Sequence, residues 1–159
     1  MGGTMVRNKK PKHVVPERVA KSLDLSTGEV VATSVFCHNG HQLIDEDVEI
    51  SGHPSIHVEV EYEGRILNAY LSAIGGDHSR YVTPNISIEP GVRTPLRCPV
   101  CHEQLPPVAP CSSDCGGDYI ALFLTPDADF KYIIGICDVN GCPSAFVKTF
   151  HSIIRDFSD

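Results

Sequence analysis

The sequence contains no tryptophan, and aromatic residues make up only 7% of its 159 residues. It also has no apolar run near the roughly 20 residues that a helix needs to cross a bilayer. Its N-terminus carries charges without the apolar core of a signal peptide. These absences exclude a membrane-spanning helix, and we expect a cytoplasmic protein.

The composition favours a compact, turn-rich fold. Hydrophobic residues account for 42% of the chain, which is enough for a real core in one domain or two small ones. Proline and glycine contribute 12 and 13 residues, a content typical of short strands and turns. We therefore expect few long helices.

Charge is distributed unevenly. The net charge is -7, yet residues 1–21 carry six basic side chains and one acidic one, so the remainder has seven basic and 19 acidic side chains. Such an acidic body repels phosphate backbones, which argues against a nucleic-acid partner. We interpret residues 1–21 as a flexible, solvated basic tail.

The middle of the chain has the two-residue period of β-strands. Residues 56–62 alternate apolar and polar side chains, and 66–74 return after the turn at Glu63 and Gly64, which predicts an antiparallel hairpin. A third strand is predicted over 85–89. Further upstream, 29–36 reads as a strand that leads into Cys37, and 43–50 is either a loop or an edge strand.

The C-terminal part is predicted to contain a hairpin and a helix. Residues 119–124 and 130–136 flank a turn-forming segment. From 143 onward, Phe146, Phe150, Ile153 and Phe157 recur with helical spacing, which predicts an amphipathic helix. The overall prediction is a mainly β fold, with an antiparallel β unit (22–97) integrated with a second part (98–159).

Seven cysteines and one histidine form four short pairs. An odd cysteine count in close pairs, without an export signal, favours reduced thiolates that bind metal over disulfides. Zinc commonly takes four ligands as two such pairs, because a gap of two to four residues aims both side chains at one ion. The eight residues therefore predict two zinc ions. The pairs are Cys37 and His41, Cys98 and Cys101, Cys111 and Cys115, and Cys137 and Cys142.

Residues 98–116 (CPVCHEQLPPVAPCSSDCG) resemble the short zinc-ribbon or rubredoxin-like pattern of two cysteine knuckles around a leucine-containing loop. This resemblance implies zinc-ribbon elements in the fold and a metal site. One departure is His102, which follows the first knuckle where glycine is common. Zinc ribbons occur in proteins of many functions, so the resemblance implies little about biological role.

The sequence leaves the pairing of the ligands open. We favour joining the 98–101 and 111–115 pairs, because the loop between them is short, which leaves 37–41 to join 137–142. The alternative joins 111–115 with 137–142 and 37–41 with 98–101. His38 is an alternative ligand to His41.

Two sites with all four ligands from protein favour structural zinc over catalysis. We therefore expect a protein–protein interaction or accessory module with a protein partner, and we favour a role other than that of an enzyme. One alternative is a rubredoxin-like iron protein that transfers electrons. Another is a metal-stabilised enzyme that uses His57 and His78, near polar residues at His53, Glu59, Glu61 and Asp77.

Overall fold

The computed structural model describes residues 17–149 and 152–155, with backbone only for the second range. The described residues form twelve β-strands and one short 3-10 helix, Glu17–Val19. In chain order the strands are β1 (Leu23–Asp24), β2 (Val31–Ala32), β3 (Ile44–Ile50), β4 (His53–Tyr62), β5 (Arg65–Leu71), β6 (Arg80–Thr83), β7 (Leu96–Arg97), β8 (Pro107–Pro110), β9 (Asp118–Phe123), β10 (Tyr132–Cys137), β11 (Ala145–Thr149) and β12 (Ser152–Arg155). The prediction of a mainly β, antiparallel fold is confirmed.

The first sheet is built around the long strand β4. On one side β4 pairs with β5, which pairs in turn with β6. On the other side β4 pairs with β3 along its first half and with the two-residue strand β7 further on. The predicted hairpin is therefore present, and the ambiguous segment 43–50 is an edge strand. Strands β1 and β2 form a separate ribbon.

The second sheet has the strand order β12-β11-β10-β9-β8, with every neighbouring pair antiparallel. The predicted hairpin of β9 and β10 lies at its centre. Residues 119–123 of β9 are all buried, because both faces of this strand are covered. One face contributes Ile120 and Leu122 to a core shared with Val58 and Leu67 of the first sheet.

The opposite face of β9 belongs to a second, smaller apolar cluster. Tyr119, Ala121 and Phe123 pack there with Ile133 and Phe146. Two rings make an edge-on contact, with the Tyr119 and Phe146 centroids 4.9 Å apart. The second sheet therefore separates the main core from this smaller cluster.

The predicted C-terminal helix is wrong. Its first half forms β11, and β12 follows, while Phe150 and Phe157 of the proposed helical face lie outside the described residues. In β11 the side chains alternate, since Phe146 faces the smaller cluster and Val147 the main core. Val147 and Thr149 are β-branched and suit a strand that is buried on both faces.

Two other strand predictions need correction. Residues 85–89 form no strand, and the third strand of the first sheet is β6, which ends before Pro84 because proline has no N–H for the ladder. Segment 29–36 contains only β2, and Phe36 makes isolated bridges to Gln42 and Phe123. No helix in the described part of the chain has the length and apolarity needed to span a membrane.

Candidate metal centres

The eight predicted ligands lie in two groups of four. In each group the potential ligand atoms lie within 4.8 Å of one another, so both groups could bind metal ions. The first, called the mixed group, contains Cys37, His41, Cys98 and Cys101. The second, called the all-cysteine group, contains Cys111, Cys115, Cys137 and Cys142.

This arrangement overturns the favoured pairing and matches the alternative. After Cys101 the chain passes through Leu105, whose N–H donates to Leu96 O at 2.9 Å in the first sheet. It then runs along β8 at the edge of the second sheet. An extended strand advances about 3.3 Å per residue, so β8 carries Cys111 away from Cys101. Sequence proximity therefore does not bring these two knuckles together.

The first knuckle of the mixed group is the tight loop 37–41. Phe36, which immediately precedes the loop, forms a β-bridge with Phe123 of the second sheet. Within the loop Cys37 N donates to His41 O at 3.0 Å, and Gly40 N donates to Cys37 O at 2.9 Å. Asn39 N also points at Cys37 Sγ, 3.3 Å away. A backbone N–H aimed at sulfur favours the thiolate form, which is the form that binds metal.

The second knuckle, 98–103, has the same construction. Cys98 N donates to Glu103 O at 3.0 Å, His102 N donates to Cys98 O at 2.8 Å, and Val100 N lies 3.3 Å from Cys98 Sγ. His102 has a φ of 63°, in the left-handed region where glycine is usual. The turn is therefore preserved although glycine is replaced, because His102 adopts the left-handed conformation that glycine usually takes at this position.

Distances in the mixed group suit a tetrahedral ion. Metal–sulfur bonds of about 2.3 Å and metal–nitrogen bonds of about 2.0 Å place tetrahedral ligand atoms about 3.5–3.8 Å apart. His41 Nδ1 lies 3.4 Å from Cys37 Sγ and 3.9 Å from Cys98 Sγ. His38 instead places Nε2 3.0 Å from Glu103 Oε1. The geometry thus selects His41 as the imidazole of this group.

Polar contacts connect the two knuckles and fix them to the first sheet. The His38–Glu103 pair and a contact of 3.5 Å from Asn39 Nδ2 to Cys101 Sγ cross between the knuckles. Glu59 of β4 is buried and accepts from Arg97 Nε at 3.1 Å. Its Oε1 also lies 3.1 Å from His102 Nδ1. Partners of this kind orient ligands in metal sites.

The all-cysteine group lies on the outer face of the second sheet, beside the smaller apolar cluster. Cys111 follows β8, Cys137 ends β10, and Cys115 and Cys142 lie in the loops beyond them. Cys111 Sγ is 3.8 Å from Cys142 Sγ, and Cys115 Sγ is 3.4 Å from Cys137 Sγ. A disulfide needs about 2.05 Å, so these are free thiols at metal-ligand spacing.

Close backbone packing holds the two halves of the all-cysteine group together. Cys111 N donates to Gly117 O at 2.9 Å, and Asp138 N donates to Asp118 O at 3.1 Å. A Cβ added at Gly117 would lie 2.5 Å from Val139 Cγ2 and 3.1 Å from Cys137 Sγ. Glycine is therefore required at this position for the loops to approach each other.

Hydroxyl groups surround the sulfurs of the all-cysteine group. Ser113 Oγ lies 3.1 Å from Cys111 Sγ and 3.2 Å from Cys142 Sγ. Tyr119 Oη, reaching from β9, lies 2.8 Å from Ser112 Oγ and 2.6 Å from Ser144 Oγ. These short contacts connect the two cysteine loops through uncharged groups.

An arginine joins the all-cysteine group to the loop that precedes β7. Arg93 Nη2 donates to Asp138 at 2.7 Å and to Asp118 at 3.0 Å, and these hydrogen bonds raise the pKa of Arg93. The Asp138 side chain is only 6% exposed, and its Oδ1 accepts from Asp118 N at 3.0 Å. The sequence pattern gave no sign that these three residues pair, because their meeting depends on sheet topology.

Burial and hydrogen bonding separate the thiol pKa values within each group. Burial raises the pKa of Cys98 to about 11. Burial alone would also raise that of Cys101, but hydrogen bonds from Asn39 and other donors outweigh it and lower the pKa to about 6. In the all-cysteine group burial raises the pKa of Cys137. Burial alone would also raise the pKa of Cys111, but hydrogen bonds from Ser113 and other groups together outweigh it and lower the pKa to about 6. Each group thus combines a thiol whose pKa is raised with one whose pKa is lowered.

The structure does not bring the candidate catalytic residues together. His57 stacks on Tyr70 with ring centroids 4.5 Å apart and lines a shallow depression beside β3. His78 lines a different cleft, between the sheets. Glu59 is paired with Arg97, and Asp77 accepts from Ser51 Oγ at 2.6 Å. These residues form two separate polar surfaces.

Comparison of the chain with protein families, with curated proteins and with solved structures found no match.

Proposed function

We propose that this chain is a zinc protein in which two structural ions hold the loops of two packed β-sheets, and that it acts as an interaction or accessory module for a protein partner. The observation that carries the proposal is the gathering of eight ligand atoms into two four-membered groups, with no other ligand needed to complete either. Structural zinc sites have this closed, four-ligand form.

The donor chemistry supports zinc in particular. Three thiolates with one imidazole, and four thiolates, are two of the commonest structural zinc sets. Thiolate-rich sites also make zinc a weak Lewis acid, which favours a scaffold over a hydrolase. All seven cysteines are free, in keeping with a reducing compartment such as the cytoplasm.

The resemblance to zinc ribbons is limited to the cysteine knuckles and does not extend to the whole fold. Both halves of the mixed group are tight turns with a backbone N–H directed at the first cysteine. At the tip of the second knuckle Val100 is 57% exposed. An apolar side chain displayed on a metal-stabilised turn suits contact with another protein.

Iron-based electron transfer is the second candidate, supported by the four sulfur ligands of the all-cysteine group. Tetrahedral thiolate sets hold either zinc or iron. Optical absorption distinguishes the two metals, because a ferric tetrathiolate is red and a zinc site is colourless.

The proposal is tested by elemental analysis of the chain purified without added metal. We expect two zinc ions per chain, release of both by a strong chelator under denaturing conditions, and no visible absorption. Tandem purification should then recover a protein partner whose binding is lost when Val100 is replaced by Asp. A metal-free native chain that keeps its fold in chelator would contradict the zinc assignment, and retained partner binding by V100D would remove the knuckle tip from the interface.

A further inference from the structure

A cleft of about 410 Å³ opens between the two sheets, on the side of the molecule where residues 71–80 face residues 134–145. Its volume lies within the range of about 300–1,000 Å³ that is usual for small-molecule sites. Apolar side chains from both sheets line it, among them Leu71, Leu122 and Ile134. The cleft thus extends from the surface towards the main core, where Leu122 and Ile134 are fully buried.

One arginine at this cleft has no counter-charge. Arg80, in β6, lines the cleft and is exposed, and no acidic group of the described residues lies within ion-pair distance of it. Packing at the cleft removes part of the water around the guanidinium and lowers the pKa of Arg80, although the residue as a whole keeps exposed surface. By contrast, Arg18, Arg93 and Arg97 each pair with two acidic side chains. Arg80 is therefore partly desolvated and still open to an anion.

The neighbouring acid does not neutralise this arginine. Asp77 lines the same cleft, but its carboxylate accepts from Ser51 Oγ at 2.6 Å and from Ser79 N at 3.0 Å. These hydrogen bonds lower the pKa of Asp77, so it stays ionised. An ionised Asp77 repels any anion placed beside it, so the favoured position for a negatively charged ligand group is on Arg80, directed away from Asp77.

A second unsatisfied group lies in the opposite wall. Asn140 lines the cleft and is only 8% exposed. Its Nδ2 donates to Ile88 O at 2.9 Å, yet its Oδ1 has no hydrogen-bond partner among the described residues. This oxygen is an acceptor and an ionised carboxylate has no donor, so the anionic end of a ligand is favoured at Arg80 and not at Asn140.

We infer that this cleft binds an amphipathic organic carboxylate, with its carboxylate group on the Arg80 guanidinium and its apolar part against the sheet face that carries Leu122 and Ile134. The planar guanidinium forms two parallel hydrogen bonds to a carboxylate. The inference does not depend on the identity of the metal ions. It assigns a ligand class to a cleft whose wall includes Cys137 and Cys142 of the all-cysteine group but whose arginine has no part in the zinc proposal.

Decanoate is the probe, added to the purified full chain and followed through methyl NMR resonances. We expect saturable shifts at Leu71, Leu122 and Ile134, with Leu43, which lies outside the cleft, unchanged. Decanamide, which has no charge, should bind more weakly. Arg80→Gln should weaken decanoate binding about tenfold or more, through loss of a charge-assisted hydrogen bond.

Arg65→Gln is the matched control, because Arg65 lies at the opposite end of β5 from Leu71, roughly 20 Å from it by strand length, and does not line the cleft. It should leave decanoate binding unchanged. Arg80→Lys should restore part of the affinity, and circular dichroism should show all three variants folded. Failure of decanoate to shift the cleft resonances, or equal weakening by the two glutamine variants, would overturn the inference.

Discussion

The two ligand groups differ in the part of the molecule that each one holds together. The mixed group joins segments 57 residues apart, as between His41 and Cys98, and Cys37 and Cys98 are fully buried in the main core. The all-cysteine group joins segments 22 and 31 residues apart on the outer face of one sheet. A metal ion bound by the first group would therefore hold core segments together, whereas one bound by the second would hold surface loops.

This difference shows that equal ligand numbers do not imply equal contributions to stability. A crosslink over a longer loop removes more entropy from the unfolded chain, although the increment per doubling is only about 0.6 kcal/mol. Burial has the larger effect, because a protein opens locally where few core contacts are lost. Loss of the ion from the all-cysteine group should loosen loops, and loss of the ion from the mixed group should unfold the chain.

The most direct test of this difference in stability is to remove one ligand from each group. Cys98→Ser should abolish cooperative unfolding, because an apparent zinc binding free energy of about 10–16 kcal/mol rivals the whole stability of a domain, about 5–15 kcal/mol. Cys115→Ser should lose one ion but keep both sheets and a lowered, cooperative transition. Metal content and thermal unfolding by circular dichroism measure both effects. Equal damage by the two variants would refute the assigned difference.

Asp138→Ala should have the next largest effect, because the nearly buried carboxylate binds both Arg93 and the Asp118 amide. We expect the free energy of unfolding to fall by about 2–3 kcal/mol, because the Asp118 amide loses its acceptor. Arg93 is half exposed and can form hydrogen bonds with water instead, so it adds little to this cost. Urea denaturation measures the change. Asp118→Asn, which removes the longer and more exposed contact, should cost under about 1 kcal/mol. A similar loss in both variants would show that Asp138 has no special role.

Gly117→Ala should act on the all-cysteine group alone. The added methyl group would collide with Val139 and Asp138, and overpacking of this kind costs about 1–3 kcal/mol. We expect one of the two ions to be released faster to a colorimetric chelator, at an unchanged rate for the other. Gly116→Ala, where φ is 88° but no atom lies within 4 Å of the added Cβ, serves as control and should cost about 1 kcal/mol through strain. Faster release of both ions would contradict the separation of the groups.

The ligand residues could be predicted because their spacing is local. A gap of a few residues in a tight turn is visible in the sequence, as at Cys98 and Cys101, and the structure forms that turn even with His102 after it. Which of the ligand pairs come together depends on the order and pairing of the strands between them. Strand β8 separates Cys101 from Cys111, and the β9–β10 hairpin brings Cys115 to Cys137. Sequence distance carries no information about either event.

The missed C-terminal strands have a related cause. The helical prediction counted only large apolar side chains, at Phe146 and every third or fourth residue after it. A strand buried on both faces has apolar residues without alternation, so its pattern resembles that of a buried helix. Val147 and Thr149 supplied the distinguishing signal, since β-branched side chains favour strands. Burial on both faces arises only once the loops of the all-cysteine group and the first sheet cover the second sheet.

His38→Ala should have the weakest effect of these variants. It tests whether His38 or His41 supplies the imidazole ligand of the mixed group. His38 pairs with Glu103, whose side chain is 62% exposed, and exposed pairs contribute under about 1 kcal/mol. The buried Nδ1 of His38 has no partner among the described residues, so its removal leaves no new unsatisfied group. Both ions should therefore remain, with a nearly unchanged unfolding midpoint. His41→Ala should lose one ion, and His53→Ala, at a histidine outside both groups, should lose none. Loss of an ion from the His38 variant with retention in the His41 variant would transfer the ligand role to His38.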